Sequence, residues 1–141
     1  MPQFSWTDGL HTGSTLIDGD HRKLIGRVNV LFETMESDQG NARMSRAMND
    51  LIAYTEEHFG REEAEMERIQ YVASLAHRAE HAKLLRQLVE LKAMLDAGRR
   101  INIPAVSNFL SEWLCQHILT VDLKLAAALK QRSSEAAPQP H

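Results

Sequence analysis

The sequence predicts an all-α fold, an antiparallel up-down four-helix bundle behind an irregular N-terminal arm. Three observations predict it. Apolar residues recur at three- and four-residue spacing in four separate segments, the period of one helix face. The segments are about 18 to 28 residues long with short connections, which forces consecutive helices to run antiparallel. Finally, no segment alternates with the two-residue period of a half-buried strand, and no internal repeat is visible.

Residues 1–17 read as the arm, with Gly9 and Gly13 as breakers and Phe4, Trp6, Leu10 and Leu16 as docking points. A first helix starts near Asp18 or Asp20, either of which can accept hydrogen bonds from the free N–H groups of a first turn. It carries His21, Leu24, Ile25, Val28, Leu31, Phe32 and Met35 on one stripe and ends in Ser37-Asp38-Gln39-Gly40-Asn41. A second stripe holds Met44, Met48, Leu51, Ile52, Thr55, His58, Phe59, Glu62 and Met66. The third helix begins near Ser74, runs through His77, His81, Leu84, Leu88, Leu91 and Leu95, and stops at Gly98. Pro104 suits the first turn of a fourth. Its inner face is Leu110, Trp113, Leu114, His117, Ile118, Val121 and Leu125, with Asp122 at one edge. The bundle domain is expected over residues 1–132, and 133–141, with Pro138 and Pro140, as a disordered tail.

A chain of 141 residues with 43% hydrophobic and 25% charged residues has the size and composition of one globular domain. Its net charge of −3, with both signs mixed along the chain, leaves no basic footprint for nucleic acid or an anionic membrane. No apolar run is long enough to span a bilayer, and the first residues lack the pattern of a signal peptide. A single cysteine, Cys115, rules out an internal disulfide and agrees with a cytoplasmic location. It sits on the flank of the fourth helix, where a partly buried thiol is expected.

The chemistry lies in the histidines. Five of the seven, His21, His58, His77, His81 and His117, fall on apolar stripes, joined by Glu62 and Asp122. Singly, each signal is weak: a lone histidine on an apolar face is more often a hydrogen-bonded core residue. His58 and Glu62, four apart, stack on one helix face, as a surface pair would. His77 and His81 have the spacing with which two histidines grip one metal ion. His117 and Asp122 are five apart, about 140° around an α-helix, so they straddle a seam. That suits a carboxylate reaching across to a second ion better than chelation of one.

Their coincidence decides between metal and core. Two carboxylates and five imidazoles on the inward stripes of one small bundle would be ruinous to bury without cations. Seven donors exceed the four of a tetrahedral zinc site and fit two ions, with iron the leading candidate. His11 and His141 lie off the stripes and are expected to be solvated; Met35, Met44, Met48, Met66 and Met94 read as core filler.

These residues resemble the hemerythrin family, most closely its single-domain bacterial members, over nearly the whole chain from Trp6 to about Leu129. The resemblance rests on Ile17-Asp18-Gly19-Asp20-His21, on His58-Phe59-Gly60-Arg61-Glu62-Glu63-Ala64-Glu65-Met66, on His77-Arg78-Ala79-Glu80-His81, and on Trp113-Leu114-Cys115-Gln116-His117 continuing through Ile118-Leu119-Thr120-Val121-Asp122. There are two departures. Asp20 stands where the family often has Gln, a carboxylate expected either to add charge beside the site and lower the potential of the nearby iron, or simply to cap the helix. Gln70-Tyr71-Val72 stands in place of a Gly-Tyr-Pro turn.

The resemblance implies two non-haem, oxo- or hydroxo-bridged iron ions. His77, His81 and His117 would hold one, His21 and His58 the other, and Glu62 and Asp122 would bridge them. It further implies reversible dioxygen binding on the two-histidine iron, inside an apolar pocket of Leu24, Phe59, Trp113, Leu114 and Ile118. No spare Tyr, Lys or His stands at those positions as a general acid, so the expectation is a dioxygen carrier, not an enzyme. It would serve storage, delivery to an oxygen-consuming enzyme, or scavenging. A monomer is expected, with an oligomer left open.

A ferritin-like di-iron protein is the first rival, but the Glu-x-x-His pairs of that class are missing. Thr55, Ser74, Arg78 and Leu114 stand three residues before His58, His77, His81 and His117. A freestanding sensor of oxygen, redox state or nitric oxide, or an iron-handling protein, using the same site is the alternative function.

Overall fold

The computed structural model describes residues 11–36, 41–98 and 102–136, with side chains for all of these except 36, 41, 103, 118, 119 and 133–136. Phe4, Trp6, Leu10, Pro138, Pro140 and His141 lie outside the described residues. The chain forms α1 (Thr15–Glu36), α2 (Asn41–Arg68), α3 (Ser74–Asp96) and α4 (Ile103–Gln116). A π-helical turn (His117–Asp122) then leads directly into α5 (Leu123–Ala136). The last three segments make one interrupted fourth helix, and no strand occurs among the described residues.

Contacts between helices fix their directions. Asp20, early in α1, meets Tyr54, His58 and Arg61, late in α2. Ser45, early in α2, donates to Asp96 at the end of α3 at 2.5 Å, while Glu62 meets His81 at the opposite end. His21 of α1 reaches Asp122 at the end of the π turn. Each sequential pair is therefore antiparallel, and the fold is the up-down four-helix bundle that the periodicity predicts.

Two boundaries differ from the expected ones. α1 starts at Thr15, three residues inside the expected arm, because neither Asp18 nor Asp20 is the cap. The Ser14 hydroxyl accepts from the Ile17 N–H at 3.2 Å, and the Ser14 carbonyl accepts the first helical bond from Asp18 at 2.8 Å. Asp18 instead reaches back, accepting from the Thr12 N–H at 2.9 Å and hydroxyl at 2.7 Å, which ties the arm to the helix. At the other end α5 runs to Ala136, into the stretch expected to be disordered from Ser133 onward. Ser133, Ser134, Glu135 and Ala136 contain no proline, and nothing in them breaks a helix already under way.

The remaining ends follow local chemistry. Gly98 takes a positive φ of 72° after α3, the left-handed turn that glycine adopts without penalty. Asn102 caps α4, its side chain accepting from the Ala105 N–H at 3.1 Å, with Pro104 in the first turn. Asn102→Ala should therefore cost about 0.5–2 kcal/mol in denaturation experiments while leaving metal content unchanged. A variant as stable as the parent would remove the cap from the account of this helix.

Two apolar clusters are separated along the bundle. The larger holds Leu24 to Met35 of α1, Met48, Leu51 and Phe59 of α2, Leu84, Leu88 and Leu95 of α3, and Leu110, Trp113 and Leu114 of α4. The smaller joins Ile17, Met66, Ile69, Leu125 and Ala126. On α1, α2 and the fourth helix, the polar stripe residues fall between the two. Met35, Met48 and Met66 are buried as expected of filler, but Met94 is 40% exposed and contributes to neither cluster. No helix among the described residues is long and apolar enough to cross a membrane.

Candidate metal centre

Up-down topology alone explains why the polar stripe residues meet. His21 lies early in α1, His58 and Glu62 late in α2, His77 and His81 early in α3, and His117 and Asp122 late in the fourth helix. In an antiparallel bundle those positions share one height. The structure brings all seven together, and each is no more than 3% exposed.

The π turn aligns the last two. On an α-helix His117 and Asp122 would diverge by about 140°. The wider turn, with its i to i+5 bonding, returns Asp122 to the face of His117. His117 Nε2 and Asp122 Oδ1 are 3.0 Å apart. Nothing in the residue pattern announced this turn, and the seam-straddling geometry expected for the pair is corrected here.

The donors form two overlapping groups. Glu62, His77, His81, His117 and Asp122 make one; His21, His58, Glu62 and Asp122 make the other. Within each, one donor atom per residue lies within 4.8 Å of all the rest. The two carboxylates divide their oxygens between the groups. Glu62 Oε1 faces His81 at 2.9 Å, His77 at 3.3 Å and His117 at 3.9 Å, while Oε2 faces His58 at 3.4 Å. Asp122 Oδ1 faces His117 at 3.0 Å and His77 at 3.2 Å, while Oδ2 faces His21 at 2.5 Å and His58 at 3.4 Å.

Some of these pairs are within hydrogen-bonding geometry, His21 and His58 with Asp122 Oδ2 and His77 and His81 with Glu62 Oε1, but three inward-facing atoms are left without a partner. Glu62 Oε2, His117 Nε2 and Asp122 Oδ1 are fully buried and make no hydrogen bond, because their lone pairs converge instead of meeting N–H groups. Orphaned buried atoms of this kind are rare, and converging acceptors fit a cation. The electrostatics agree. Burial, then the charge of Asp122, pushes the Glu62 carboxyl well above the usual carboxylate range. Burial also works to raise Asp122, but His117, His21 and His58 hold it well below. Burial pushes His21 and His81 down, with His117 and His77 adding to the effect on His81. Against its own burial, hydrogen bonds to Asp122 and Asp20 hold His58 above its usual value. Five imidazoles and two carboxylates converging in a dry interior are a donor set that fits transition metals.

Apolar residues close the centre on the side of the large cluster. The Phe59 ring stacks on His81 with centroids 3.8 Å apart and planes 4° from parallel, and it lies 5.2 Å from the His117 ring. Leu24, Trp113 and Leu114 are buried in the same cluster as Phe59. The Trp113 indole N–H turns away to the Leu84 carbonyl at 3.3 Å. Ile118, the fifth residue expected in the pocket, has a side chain outside the described residues. His11 is exposed and pairs with Asp18, apart from the centre. Burial pushes the half-buried Cys115 thiol up.

The hemerythrin HHE cation-binding domain matches residues 12–129. The chain belongs to the hemerythrin family. Among hemerythrin relatives, the bacteriohemerythrin of Pseudomonas paraeruginosa is 30% identical over 135 residues, covering 96% of this chain and 87% of that protein. The bacteriohemerythrin of Methylococcus capsulatus is 32% identical over 124 residues, covering 86% and 93%. In three dimensions the chain is similar to a wild-type hemerythrin crystal structure with a TM-score of 0.82, at 29% identity over 91% of this chain and 98% of that one.

Sequence reasoning missed Tyr54, Arg61 and Glu63 as neighbours of the centre. Glu63 Oε2 lies 3.2 Å from His81 Nδ1, and Arg61 and Tyr54 both donate to Asp20. All three occupy the flank of the α2 stripe. A search for polar residues one or three positions from each histidine or carboxylate of the stripe would have found Arg61 and Glu63.

Proposed function

We propose that this hemerythrin-family chain binds dioxygen reversibly at two non-haem iron ions, in storage, delivery or scavenging. The division of the Glu62 and Asp122 oxygens between two histidine groups carries the reading. One oxygen of each carboxylate faces His77 and His117, and the other faces His58. Such carboxylates are placed to bridge two ions, and a single ion would leave two oxygens unpaired in a dry interior. His77, His81 and His117 would hold one iron and His21 and His58 the other. With one histidine fewer, the group of His21 and His58 would leave room for a small ligand. Bound there, the irons supply the electrons on which dioxygen binding draws.

The protein's own part is to orient and to exclude. Four helices hold the imidazoles so that little rearrangement accompanies a change of metal charge. Leu24, Phe59, Trp113 and Leu114 keep water and proton donors away, which favours release of the ligand unchanged over onward chemistry. No hydroxyl, amine or further imidazole among them supplies a proton.

Iron analysis and one absorption spectrum of the aerobically purified protein test the proposal. Two irons per chain, oxo-bridged ferric bands, and colour that bleaches and returns on cycling reduction, deoxygenation and air are expected. A chain with a single metal ion, or a spectrum indifferent to oxygen, would sink it. Removing the metal should also lower the melting temperature and weaken the near-ultraviolet dichroism, since the metal-free bundle must bury the same imidazoles and carboxylates uncompensated.

A further inference from the structure

Beside the two-histidine group lies a buried carboxylate that the proposed ligation does not use. Asp20, adjacent to His21, is 6% exposed, and all its partners come from α2. Its Oδ2 accepts from His58 Nδ1 at 2.9 Å and from Arg61 Nε at 2.8 Å. Its Oδ1 accepts from Arg61 Nη2 and from the Tyr54 hydroxyl, both at 2.8 Å. The arginine thus grips the carboxylate in a two-pronged fork. Both arginines nearby also lie over the Tyr54 ring, Arg27 at 4.8 Å and Arg61 at 5.5 Å. Asp20 is not a helix cap, because α1 begins five residues earlier.

His58 is therefore held from both sides. Its Nδ1 points out to Asp20, and its Nε2 points in toward Glu62 and Asp122, 3.4 Å from each. A ring nitrogen that donates to a carboxylate fixes the tautomer, leaving the opposite nitrogen as a lone-pair donor and making it more basic. The other histidines are treated differently. His21 and His117 have Nδ1 atoms without a hydrogen-bond partner, and His81 meets Glu63, which is 31% exposed in its side chain. Among the described residues, Asp20 is the one deeply buried carboxylate on an outer nitrogen of the cluster. Burial and the bond to Asp20 push Tyr54 up to about 12, so it remains a donor.

We propose that Asp20, clamped by Arg61 and Tyr54, is a positioning residue for His58, and that the clamp selectively tightens the metal ion of the two-histidine group and favours its oxidised state. The proposal rests on the di-iron reading above. It acts through His58, so it concerns the ion whose open position would take dioxygen. A carboxylate makes His58 a stronger donor to the ferric than to the ferrous ion, and the arginine moderates that charge.

The test uses full-length iron-loaded protein in three forms: parent, Asp20→Asn and Arg61→Met. Each is challenged with excess chelator and titrated for its midpoint potential, and helicity is checked by circular dichroism. In Asp20→Asn one of the two irons should be lost roughly 10–100-fold more readily, while the other is held as in the parent. The ferrous-to-ferric ratio at a fixed potential should rise about tenfold, 59 mV for one electron. Arg61→Met, at a half-exposed position, should move the potential the opposite way, since it removes the cation and leaves the carboxylate. A role confined to packing would move neither potential. If both variants keep two irons with the parent's chelator resistance and potentials, the positioning role is overturned and the di-iron reading stands. If the parent itself carries no iron, the di-iron reading falls and takes this inference with it.

Discussion

On the di-iron proposal, Asp122→Ala is expected to strip the protein of both metal ions, whereas His21→Ala is expected to weaken only one. The difference follows from geometry. Asp122 turns Oδ1 to His77 and His117 and Oδ2 to His21 and His58, so its loss opens both groups at once. His21 belongs to the smaller group alone. Removing one partner from a buried charged cluster typically destabilises by about 3–5 kcal/mol. Loss of the metals adds to that, because binding energy and folding energy are linked when the site exists only in the folded chain. Elemental analysis of the purified variants checks the metal count, and thermal melts check the stability. The exposed His11→Ala variant serves as the control and should keep a full complement. Should Asp122→Ala retain two ions, the shared carboxylate would not be a bridge and the two-group geometry would need another explanation.

Leu114→Ala should act through the pocket without touching a donor. Leu114 is 1% exposed, in the large cluster with Leu24, Phe59 and Trp113, three residues before His117. Truncation there leaves a cavity and should cost about 2–5 kcal/mol of stability, the spread reflecting how far neighbours collapse into the space. If the wall excludes water from the bound ligand, the variant should also autoxidise faster, measured as decay of the oxygenated spectrum well below its melting temperature. Leu114→Tyr separates space from polarity, since the larger side chain fills the site and brings a hydroxyl that can donate. Both variants should keep two irons. Unchanged autoxidation in Leu114→Ala would remove water exclusion as the basis of reversibility and favour a sensing or catalytic use of the same centre.

The helices, their order and their inward stripes were written in the apolar periodicity of the chain, because burial of one face per helix is a one-dimensional pattern. His21, His58, Glu62, His77, His81, His117 and Asp122 could be picked out for the same reason: each occupies a stripe position where an unpartnered polar group is costly. What the stripe cannot encode is rotation and pairing across helices. The π turn at His117–Asp122 is one such case. A spacing of five suggested divergence, and only packing of the fourth helix against the other donors favours the wider turn that brings Asp122 onto the face of His117. The start of α1 is another, since Ser14 caps the helix while Asp18 tethers the arm, a division of roles that a reading of Asp18 or Asp20 as the cap did not contain. Asp20 is the clearest. By sequence it was a helix cap or an extra charge, and both were consistent with its place beside His21. Its partners Tyr54, His58 and Arg61 lie 34 to 41 residues away, and the choice was made by the antiparallel pairing of α1 with α2. Side-chain type and spacing along one helix determined which residues could meet a metal. The register between helices, a property of the folded chain alone, decided which oxygen and which ring nitrogen each of them presents.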